Sequence, residues 1–227
     1  MRNNYLLDAD ETILDFLRSS RESFAQAMAW AGMERLASDY EKFRAVNDAL
    51  WKAYERGEVT KSRLVVERFA RFFAAEGVEA DAAAVNGRYF GTLCATGYLL
   101  PGAAEFLWAL RARGKVYLIT NGTPAAQYGR LDALGIRGDF DGIFVSDEIG
   151  FAKPDVRFFE YVFAHAPARR EDCIVIGDSL SSDIAGARGA GVPSILYAPR
   201  GVPDGAEAAD HVAHSYRQII EILDQLR

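Results

Sequence analysis

Short apolar runs that end in polar residues recur along the chain, and a helix-like segment follows most of them. The runs cover residues 5–7, 116–119, 143–145, 174–176 and 194–197. Strands that are continuously apolar, rather than alternating, are typical of a parallel sheet buried on both faces. Strands separated by helical patterns indicate βαβ units. The pattern therefore predicts an α/β fold with a Rossmann-like, doubly wound parallel sheet.

The stretch between the first and second predicted strands is different, because its apolar residues recur at spacings of three and four. Such spacing predicts amphipathic helices, here over residues 24–30, 43–54, 64–73 and 82–93. We expect residues 15–96 to form an all-helical domain inserted into an α/β core of residues 1–14 and 97–227. Ligands of open α/β sheets bind beyond the carboxyl ends of the strands, so the insertion is expected to lie over the site.

The composition excludes several classes of protein. Half of the 227 residues are apolar and 26% are charged, which is typical of a folded globular protein and not of a disordered or collagen-like chain. Lys and Arg number 26 against 32 Asp and Glu, so the net charge is −6. This balance argues against a nucleic-acid polymer or an anionic membrane as a partner. A small anionic substrate is compatible with it, because one local cationic site suffices.

Targeting and cysteine patterns point to the cytoplasm. The N-terminal residues lack a signal-peptide pattern, and no apolar run approaches the length of about 18 residues that a membrane span needs. The two cysteines, Cys94 and Cys173, lie far apart and lack the spacing of a zinc cluster or a disulfide framework. We expect a cytoplasmic protein, and the sequence leaves its oligomeric state open.

Two aspartates follow the first predicted strand. An extended backbone around the small Ala9 places the carboxylates of Asp8 and Asp10 on the same side, about 6–7 Å apart. Like charges at this distance oppose joint ionisation unless a cation or a shared proton intervenes, which suits one nucleophile or metal ligand and one acid–base group. The alternative is an acidic turn that caps the next helix, with Thr12 and Asp15 in a capping-box arrangement.

The second predicted strand ends at Thr120 and is followed by a plausible helix start. Thr123 suits the N-cap and Pro124 the first helical position, so free backbone N–H groups gather beside the Thr120 hydroxyl and the Asn121 amide. A helix N-terminus of this kind binds phosphate readily. The alternative is a loop in which Asn121 and Gly122 only turn the chain.

Lys153 follows the third predicted strand, and Asp178 and Asp183 follow the fourth. Lys153 can neutralise a phosphate or orient a carboxylate, although an exposed lysine before a helix is the alternative. Each aspartate could likewise be a helix cap. Taken jointly, four strand ends bring acids, a hydroxyl and a lysine to one edge of the sheet. Oxygen donors without a histidine favour Mg²⁺ over zinc or copper.

This chain resembles the haloacid dehalogenase superfamily of aspartate-nucleophile phosphohydrolases, whose four motifs occur here in order and over the whole chain. The matching groups are Asp8 to Thr12 for the DxDxT motif, Thr120 for the second motif, Lys153 for the third, and Asp178 with Asp183 for the fourth. The resemblance implies the α/β core of that superfamily. The inserted helical block resembles the cap domain that the superfamily places between its first and second motifs.

The resemblance also implies a mechanism through an aspartyl-phosphate. Asp8 would attack phosphorus, and Asp10 would protonate the leaving oxygen and then activate water. Mg²⁺ would be held by the Asp8 side chain, the Asp10 backbone carbonyl and Asp178, with Asp183 as a water-mediated partner. The groups implied to hold the other phosphate oxygens are Thr120, the backbone N–H of Asn121, and Lys153.

A narrower resemblance is to bacterial pyrimidine 5′-nucleotidases that dephosphorylate dUMP, dTMP and noncanonical pyrimidine nucleoside monophosphates. It rests on Asp8 to Thr12, residues 46–51 (VNDALW), Tyr54, Gly57, Thr60 and residues 148–154 (EIGFAKP). It implies a magnesium-dependent 5′-nucleotidase for dUMP, dTMP or UMP. Candidates for contact with the base are Phe16, Asn47, Trp51 and Tyr54, but an aromatic residue at helical spacing equally fits a bundle core.

Three alternatives stay open on the sequence. A phosphatase for a small sugar phosphate uses the same groups and differs in the leaving group, and a phosphomutase uses them as well. A non-catalytic binding protein is the third, although such a protein has no reason to hold several uncompensated carboxylates in one crevice. A dehalogenase of the same superfamily needs no acid–base group at position 10, so Asp10 favours cleavage of a phosphate ester.

Overall fold

The computed structural model describes residues 2–226, and six parallel strands within that range form one sheet. The strands are β1 (Asn4–Leu7), β2 (Lys115–Thr120), β3 (Gly142–Val145), β4 (Cys173–Gly177), β5 (Ser194–Tyr197) and β6 (His211–Ala213). Their order across the sheet is β3-β2-β1-β4-β5-β6. In the centre, Leu7 of β1 pairs with Leu118 of β2 and Ile176 of β4. The predicted doubly wound parallel sheet is confirmed.

Helices cover both faces of this sheet. Those of the α/β unit are α5 (Ala103–Arg111), α6 (Pro124–Leu134), α7 (Ser146–Ile149), α8 (Val156–His165), α9 (Ala185–Ala190) and α10 (Tyr216–Gln225). Neighbouring residues of a strand point to opposite faces. Leu7 accordingly packs in one buried core with α5 and α10, and Leu6 in another with α8 and α9. Among the described residues, no helix has the length and apolar content needed to cross a bilayer.

The apolar pattern predicts five of the six strands and misses β6. This strand has only three residues, His211, Val212 and Ala213, of which only Ala213 is fully buried. It lies at the edge of the sheet, paired with β5 on one side. A short, half-buried edge strand has too few buried apolar residues for the pattern to reveal it.

Residues Phe16–Gly97 form a compact helical unit of their own. It consists of α1 (Phe16–Trp30), α2 (Tyr40–Glu55), α3 (Lys61–Ala75) and α4 (Ala82–Ala95), with a 3-10 turn at Glu34–Asp39. Its core is aromatic: the ring centroid of Phe43 lies 4.8 Å from that of Phe24, 4.7 Å from that of Phe69 and 5.6 Å from that of Tyr89. The predicted inserted all-helical block is therefore present.

Helix α1 begins eight residues before the predicted start at residue 24, and the reason lies in its buried serines. Ser19, Ser20 and Ser23 are all buried. The Ser20 hydroxyl lies 2.8 Å from the Tyr89 hydroxyl, and Ser23 donates to the Ser19 carbonyl at 2.7 Å. Small polar residues replace apolar ones on the buried face here, so hydrophobic spacing does not detect the first two turns.

The two ends of the insertion lie side by side in the α/β unit. The Asp15 backbone N–H donates to the Tyr98 carbonyl at 2.9 Å, and the Leu100 N–H donates to the Ile13 carbonyl at 2.9 Å. Leu14 and Leu99 form an antiparallel bridge between these bonds. Contacts place the unit boundaries after residues 15 and 97, one residue beyond those we expect from the sequence.

Candidate active site

Asp8 is the first residue after the central strand β1, and its side chain is buried. Its backbone N–H donates to the Ile176 carbonyl at 2.9 Å, which extends the ladder to β4 by one bond. Its Oδ1 accepts from Lys153 Nζ at 2.7 Å, and its Oδ2 accepts from Thr12 Oγ1 at 3.1 Å. The Thr12 hydroxyl is therefore a hydrogen-bond donor to the Asp8 carboxylate.

The chain turns back on itself directly after Asp8. The Ala9 carbonyl accepts from the backbone N–H groups of Ile13 at 3.0 Å and Leu14 at 2.8 Å. Glu11 lies in this turn in a left-handed conformation with φ of 59°, which is uncommon for a residue with a side chain. The turn separates the hydrogen-bond partners of Asp8 from those of Asp10.

Lys153 lies in the segment that joins α7 to α8, and its side chain is only 1% exposed. Its Nζ donates to Asp8 Oδ1 at 2.7 Å, to Asp183 Oδ1 at 2.6 Å and to the Ile119 carbonyl at 2.9 Å. An ammonium group has three protons, and these three acceptors use all of them. The alternative of an exposed surface lysine is wrong, because its charge is buried between two carboxylates.

Asn121 fixes the backbone of Lys153 through its side chain. Asn121 Oδ1 accepts from the Lys153 backbone N–H at 2.8 Å, and Asn121 Nδ2 donates to the Lys153 carbonyl at 2.8 Å. The side-chain amide thus pairs with both backbone groups of one residue, as a neighbouring strand does. The sequence analysis places the Asn121 amide at this strand end, but its two bonds to the backbone of Lys153 were not predicted.

A second buried carboxylate belongs to Asp183, in the π-helical turn Leu180–Ile184 that precedes α9. Its Oδ1 accepts from Lys153, and its Oδ2 accepts from the Ser179 backbone N–H at 3.1 Å. It packs directly on Gly177, where a Cβ atom would lie 2.3 Å from Asp183 Oδ2. Only glycine leaves room for the carboxylate at that strand end.

Asp178 completes an acidic cluster with Asp8 and Asp183. One carboxylate oxygen from each of the three lies within 4.8 Å of the others. Among the described residues, no donor forms a hydrogen bond with the Asp178 carboxylate, in contrast to Asp8 and Asp183. One lysine therefore faces three carboxylates.

The excess of carboxylates over cations in the cluster shifts the pKa values of Asp8, Asp178 and Lys153. Burial, and next the charge of Asp183, raise the pKa of Asp8 from 3.8 to about 7, although Lys153 acts in the opposite direction. Burial and the charge of Asp8 raise the pKa of Asp178 well above its ordinary value. Burial alone would lower the pKa of Lys153, but the charges of Asp183 and Asp8 more than offset it and raise that pKa.

The donor set of this cluster fits a hard divalent cation. Mg²⁺ is bound through one or two carboxylates and keeps several waters. Asp8 and Asp178 offer carboxylate oxygens whose charges are poorly compensated by protein donors, and a cation placed between them would supply the missing positive charge. The residues present therefore fit the ion that the sequence predicts.

Asp10 has its own partners, which come from helix α6. Its Oδ1 pairs with Arg130 Nη1 at 2.6 Å, and its Oδ2 accepts from Gln127 Nε2 at 2.8 Å. The same Gln127 nitrogen lies 2.9 Å from Thr120 Oγ1, which also accepts from the Gly122 N–H at 3.0 Å. Asp10 and Thr120, two of the predicted site residues, are thus joined through one glutamine.

Gln127 and Arg130 are not among the site residues predicted from the sequence. A usable signal exists, since two long polar residues three positions apart share one face of a helix. That face belongs to the helix after β2, whose N-terminus holds Thr123 at the N-cap and Pro124 at the first helical position, as predicted. Both residues are buried, and buried polar residues need partners.

The candidate base contacts all lie in the helical unit. Asn47 is buried there, and its Oδ1 accepts from Arg68 Nη1 at 3.1 Å. Trp51 and Tyr54 are half-buried and meet edge to face, with ring centroids 5.6 Å apart. Phe16 is the first residue of α1.

Comparison with known proteins agrees with this geometry. A family model described as haloacid dehalogenase-like hydrolase matches residues 3–191. The pyrimidine 5′-nucleotidase PynA of Streptococcus pneumoniae is 33% identical over 223 residues, which cover 97% of this chain and 94% of that protein. The pyrimidine 5′-nucleotidase YjjG of Escherichia coli is 33% identical over 195 residues, which cover 82% and 81%.

A solved structure resembles the whole fold. The crystal structure of the HAD-hydrolase YfnB of Bacillus subtilis, described as bound to magnesium and as revealing interdomain movement, superposes with a TM-score of 0.91. It is 31% identical, and the match covers 98% of each chain. The family model and these relatives extend across the helical insertion as well as the strand ends that hold the acidic cluster. This chain is therefore an enzyme of the haloacid dehalogenase-like hydrolase family.

Proposed function

We propose that this enzyme is a magnesium-dependent phosphomonoester hydrolase that forms an aspartyl-phosphate on Asp8, with dUMP, dTMP and UMP as its class of substrate. One observation carries the proposal: the buried Asp8 carboxylate lies 2.7 Å from Lys153 Nζ, in the cluster with Asp178 and Asp183. The likeness to PynA and YjjG, each 33% identical, supports pyrimidine nucleotides as substrates.

In the proposed first step, a carboxylate oxygen of Asp8 attacks phosphorus, and the bond from phosphorus to the ester oxygen breaks. The departing oxygen takes a proton from the Asp10 carboxyl group, so the nucleoside leaves as a neutral alcohol. In the second step, the Asp10 carboxylate accepts a proton from water, whose oxygen attacks phosphorus, and the bond from phosphorus to the Asp8 oxygen breaks. Phosphate leaves, and Asp8 is again a free carboxylate.

The remaining predicted residues bind and orient the phosphate. We assign its other oxygens to the Thr120 hydroxyl, the Asn121 backbone N–H and the charge of Lys153. Asp8, Asp178 and the Asp10 backbone carbonyl would hold Mg²⁺, with Asp183 acting through water. The ion, when bound, offsets the repulsion between the Asp8 carboxylate and the anionic phosphate.

Phosphate release tests the proposal. The purified protein is assayed with Mg²⁺, and then with excess EDTA, on a panel of pyrimidine and purine nucleoside monophosphates and small sugar phosphates. Asp8→Asn is the matched blank, because it keeps the shape of the side chain and removes the nucleophile. We expect EDTA-sensitive turnover of dUMP, dTMP or UMP that Asp8→Asn lacks.

Other outcomes separate the alternatives. Preference for a sugar phosphate would keep the mechanism and overturn the substrate class. Transfer of phosphate within a sugar, without net release, would indicate a phosphomutase. Absence of turnover on every phosphomonoester, with or without Mg²⁺, would support a non-catalytic protein.

A further inference from the structure

The carboxylate of Asp10 is held at both oxygens by one helix. Arg130 Nη1 lies 2.6 Å from Oδ1, and Gln127 Nε2 lies 2.8 Å from Oδ2. The Asp10 side chain is 31% exposed, whereas that of Arg130 is only 2% exposed. A partly exposed aspartate would otherwise sample several rotamers. Two donors from a single rigid helix, one turn apart, therefore select one orientation of the carboxylate.

Gln127 links this carboxylate to the Thr120 hydroxyl. Its side-chain nitrogen donates to Asp10 Oδ2 and also lies 2.9 Å from Thr120 Oγ1. An amide turned the other way would place its oxygen against a carboxylate oxygen, which is unfavourable. The orientation of the Gln127 amide is thus set by Asp10, and the amide presents its second N–H to Thr120.

The Thr120 hydroxyl can act toward a further partner only as a hydrogen-bond donor. Its oxygen accepts from Gln127 Nε2 and from the Gly122 N–H at 3.0 Å, which uses both of its lone pairs. The hydroxyl proton then has to point away from these two donors, toward an acceptor. In the proposed reaction that acceptor is a phosphate oxygen.

We propose that Gln127 and Arg130 are positioning residues of this enzyme: together they orient the Asp10 carboxylate, and Gln127 also makes the Thr120 hydroxyl a hydrogen-bond donor. The inference deepens the proposed function and rests on the acid–base role given there to Asp10. Proton transfer to the leaving oxygen requires a carboxyl group within hydrogen-bond reach. Gln127 and Arg130, both in α6, hold the Asp10 carboxyl group in place without contacting the substrate.

Leaving-group dependence tests the proposal. Arg130→Met and Gln127→Met keep much of the side-chain volume and remove the donors. We expect each to lower kcat/KM for an alkyl monoester such as dUMP by about 10- to 100-fold. For p-nitrophenyl phosphate, Arg130→Met should change kcat/KM by less than about 3-fold, and Gln127→Met should lower it only by the several-fold loss of the Thr120 contact. A good leaving group departs without a proton, so a misplaced Asp10 costs it little.

A second readout separates the two residues. Inhibition by inorganic phosphate reports on the Thr120 contact and not on the leaving group. We expect its inhibition constant to rise several-fold in Gln127→Met and to stay unchanged in Arg130→Met. The matched control is Arg137→Met, which removes a half-exposed arginine paired with Asp132 at 3.1 Å and should leave every constant unchanged.

A double-mutant cycle distinguishes positioning from a general structural role. If Arg130 acts through Asp10, then adding Arg130→Met to Asp10→Asn causes no further loss of kcat/KM for dUMP. If the losses of kcat/KM caused by Asp10→Asn and by Arg130→Met multiply in the double variant, the inference is overturned. It is also overturned if Arg130→Met slows dUMP and p-nitrophenyl phosphate equally. Should Arg130→Met fail to fold, as thermal unfolding would show, Gln127→Met replaces it in the cycle, and the loss it adds to Asp10→Asn should then be no larger than its several-fold effect on inhibition by phosphate.

The Asp10→Asn variant also keeps this inference separate from the proposed function. If Asp10→Asn slows dUMP and p-nitrophenyl phosphate equally, the acid–base role of Asp10 fails, and the positioning role fails with it. If Asp10→Asn discriminates between the two leaving groups and neither α6 variant does, only the positioning role is overturned.

Discussion

Lys153 and Asp8, 145 positions apart in the sequence, form a buried ion pair in which Nζ lies 2.7 Å from Oδ1. The same ammonium lies 2.6 Å from Asp183 Oδ1. Removal of one member of a buried ion pair leaves an uncompensated charge, which costs far more than the loss of a surface pair. The stability of the site therefore depends on this single lysine.

We predict that Lys153→Met lowers the free energy of unfolding by about 3 kcal/mol, because two buried carboxylates lose their shared cation. Urea unfolding near neutral pH, without divalent cations, measures the change. The matched control is Lys115→Met, since Lys115 is exposed and pairs with Asp141 at 2.7 Å. A surface pair of that kind contributes about 0–1 kcal/mol. Equal losses in the two variants would contradict the prediction.

A second change tests the cause of that loss. Asp183→Asn, introduced together with Lys153→Met, removes one of the two stranded charges and should recover part of the lost stability. If the double variant is less stable than Lys153→Met alone, the charges are not the cause.

The pKa of Asp8 predicts how stability depends on pH. In the folded protein this pKa is about 7, above its ordinary 3.8, so between about pH 4 and pH 7 the folded state holds a proton that the unfolded chain has released. Stability then falls as pH rises through this window, and it levels off above it. Asp178 acts in the same direction.

We predict that, in EDTA, Asp178→Asn becomes more stable relative to the wild type as pH rises from about 5 to about 8. Added Mg²⁺ should stabilise the wild type more at the higher pH, because protons compete with the cation for the carboxylates. Thermal unfolding in EDTA and in Mg²⁺ measures both effects. An equal Mg²⁺ stabilisation of Asp178→Asn and wild type would argue against the assigned ligand.

Gly177→Ala tests the close approach of the strand end to Asp183. The new Cβ would lie 2.3 Å from Asp183 Oδ2, so we expect a loss of about 1–3 kcal/mol and a displaced carboxylate with reduced turnover. Gly189→Ala in α9 is the control, because a Cβ there meets no atom within 4 Å. That change should be neutral or stabilise the protein by up to about 1 kcal/mol. Of the two variants, only Gly177→Ala should therefore lower the free energy of unfolding.

Asn121→Asp tests the amide that holds the Lys153 backbone. The substitution keeps the shape but replaces Nδ2, which donates to the Lys153 carbonyl at 2.8 Å, with an oxygen that repels it. We expect a loss of about 1–3 kcal/mol in the free energy of unfolding, the cost of an unsatisfied buried polar group. Asn121→Ala removes both bonds without repulsion and should lose less. A more stable Asn121→Asp would rule out this role.

The sheet and the order of its site residues could be predicted from the sequence because both depend on local patterns. Buried parallel strands are short apolar runs, and the chemical groups follow them directly, as Asp8 follows β1 and Asp178 follows β4. Features without such a pattern were missed. The start of α1 buries Ser19 and Ser20 in place of apolar residues, and β6 is a half-buried edge strand.

The partners within the site could not be predicted, because they depend on distances across the fold. Nothing next to Lys153 in the sequence indicates that its ammonium is buried, since Asp8 and Asp183 come from other strand ends. Likewise, the pairing of Arg130 with Asp10 joins residues 120 positions apart. Spacing along one helix could suggest that Gln127 and Arg130 share a face, but not which carboxylate that face meets.

The bond from the Asp15 N–H to the Tyr98 carbonyl has a consequence for how such an enzyme can diversify. Because Asp15 and Tyr98 are hydrogen-bonded to each other, the helical segment between them leaves and re-enters the α/β unit at one point. The length of that segment does not change this connection. Asp8, Asp10, Thr120, Lys153 and Asp178 all lie outside the segment. The helical segment can therefore change in sequence or length, or be replaced, during evolution. The register of β1 with β2 and β4, and the charged residues at the ends of these strands, need not change with it.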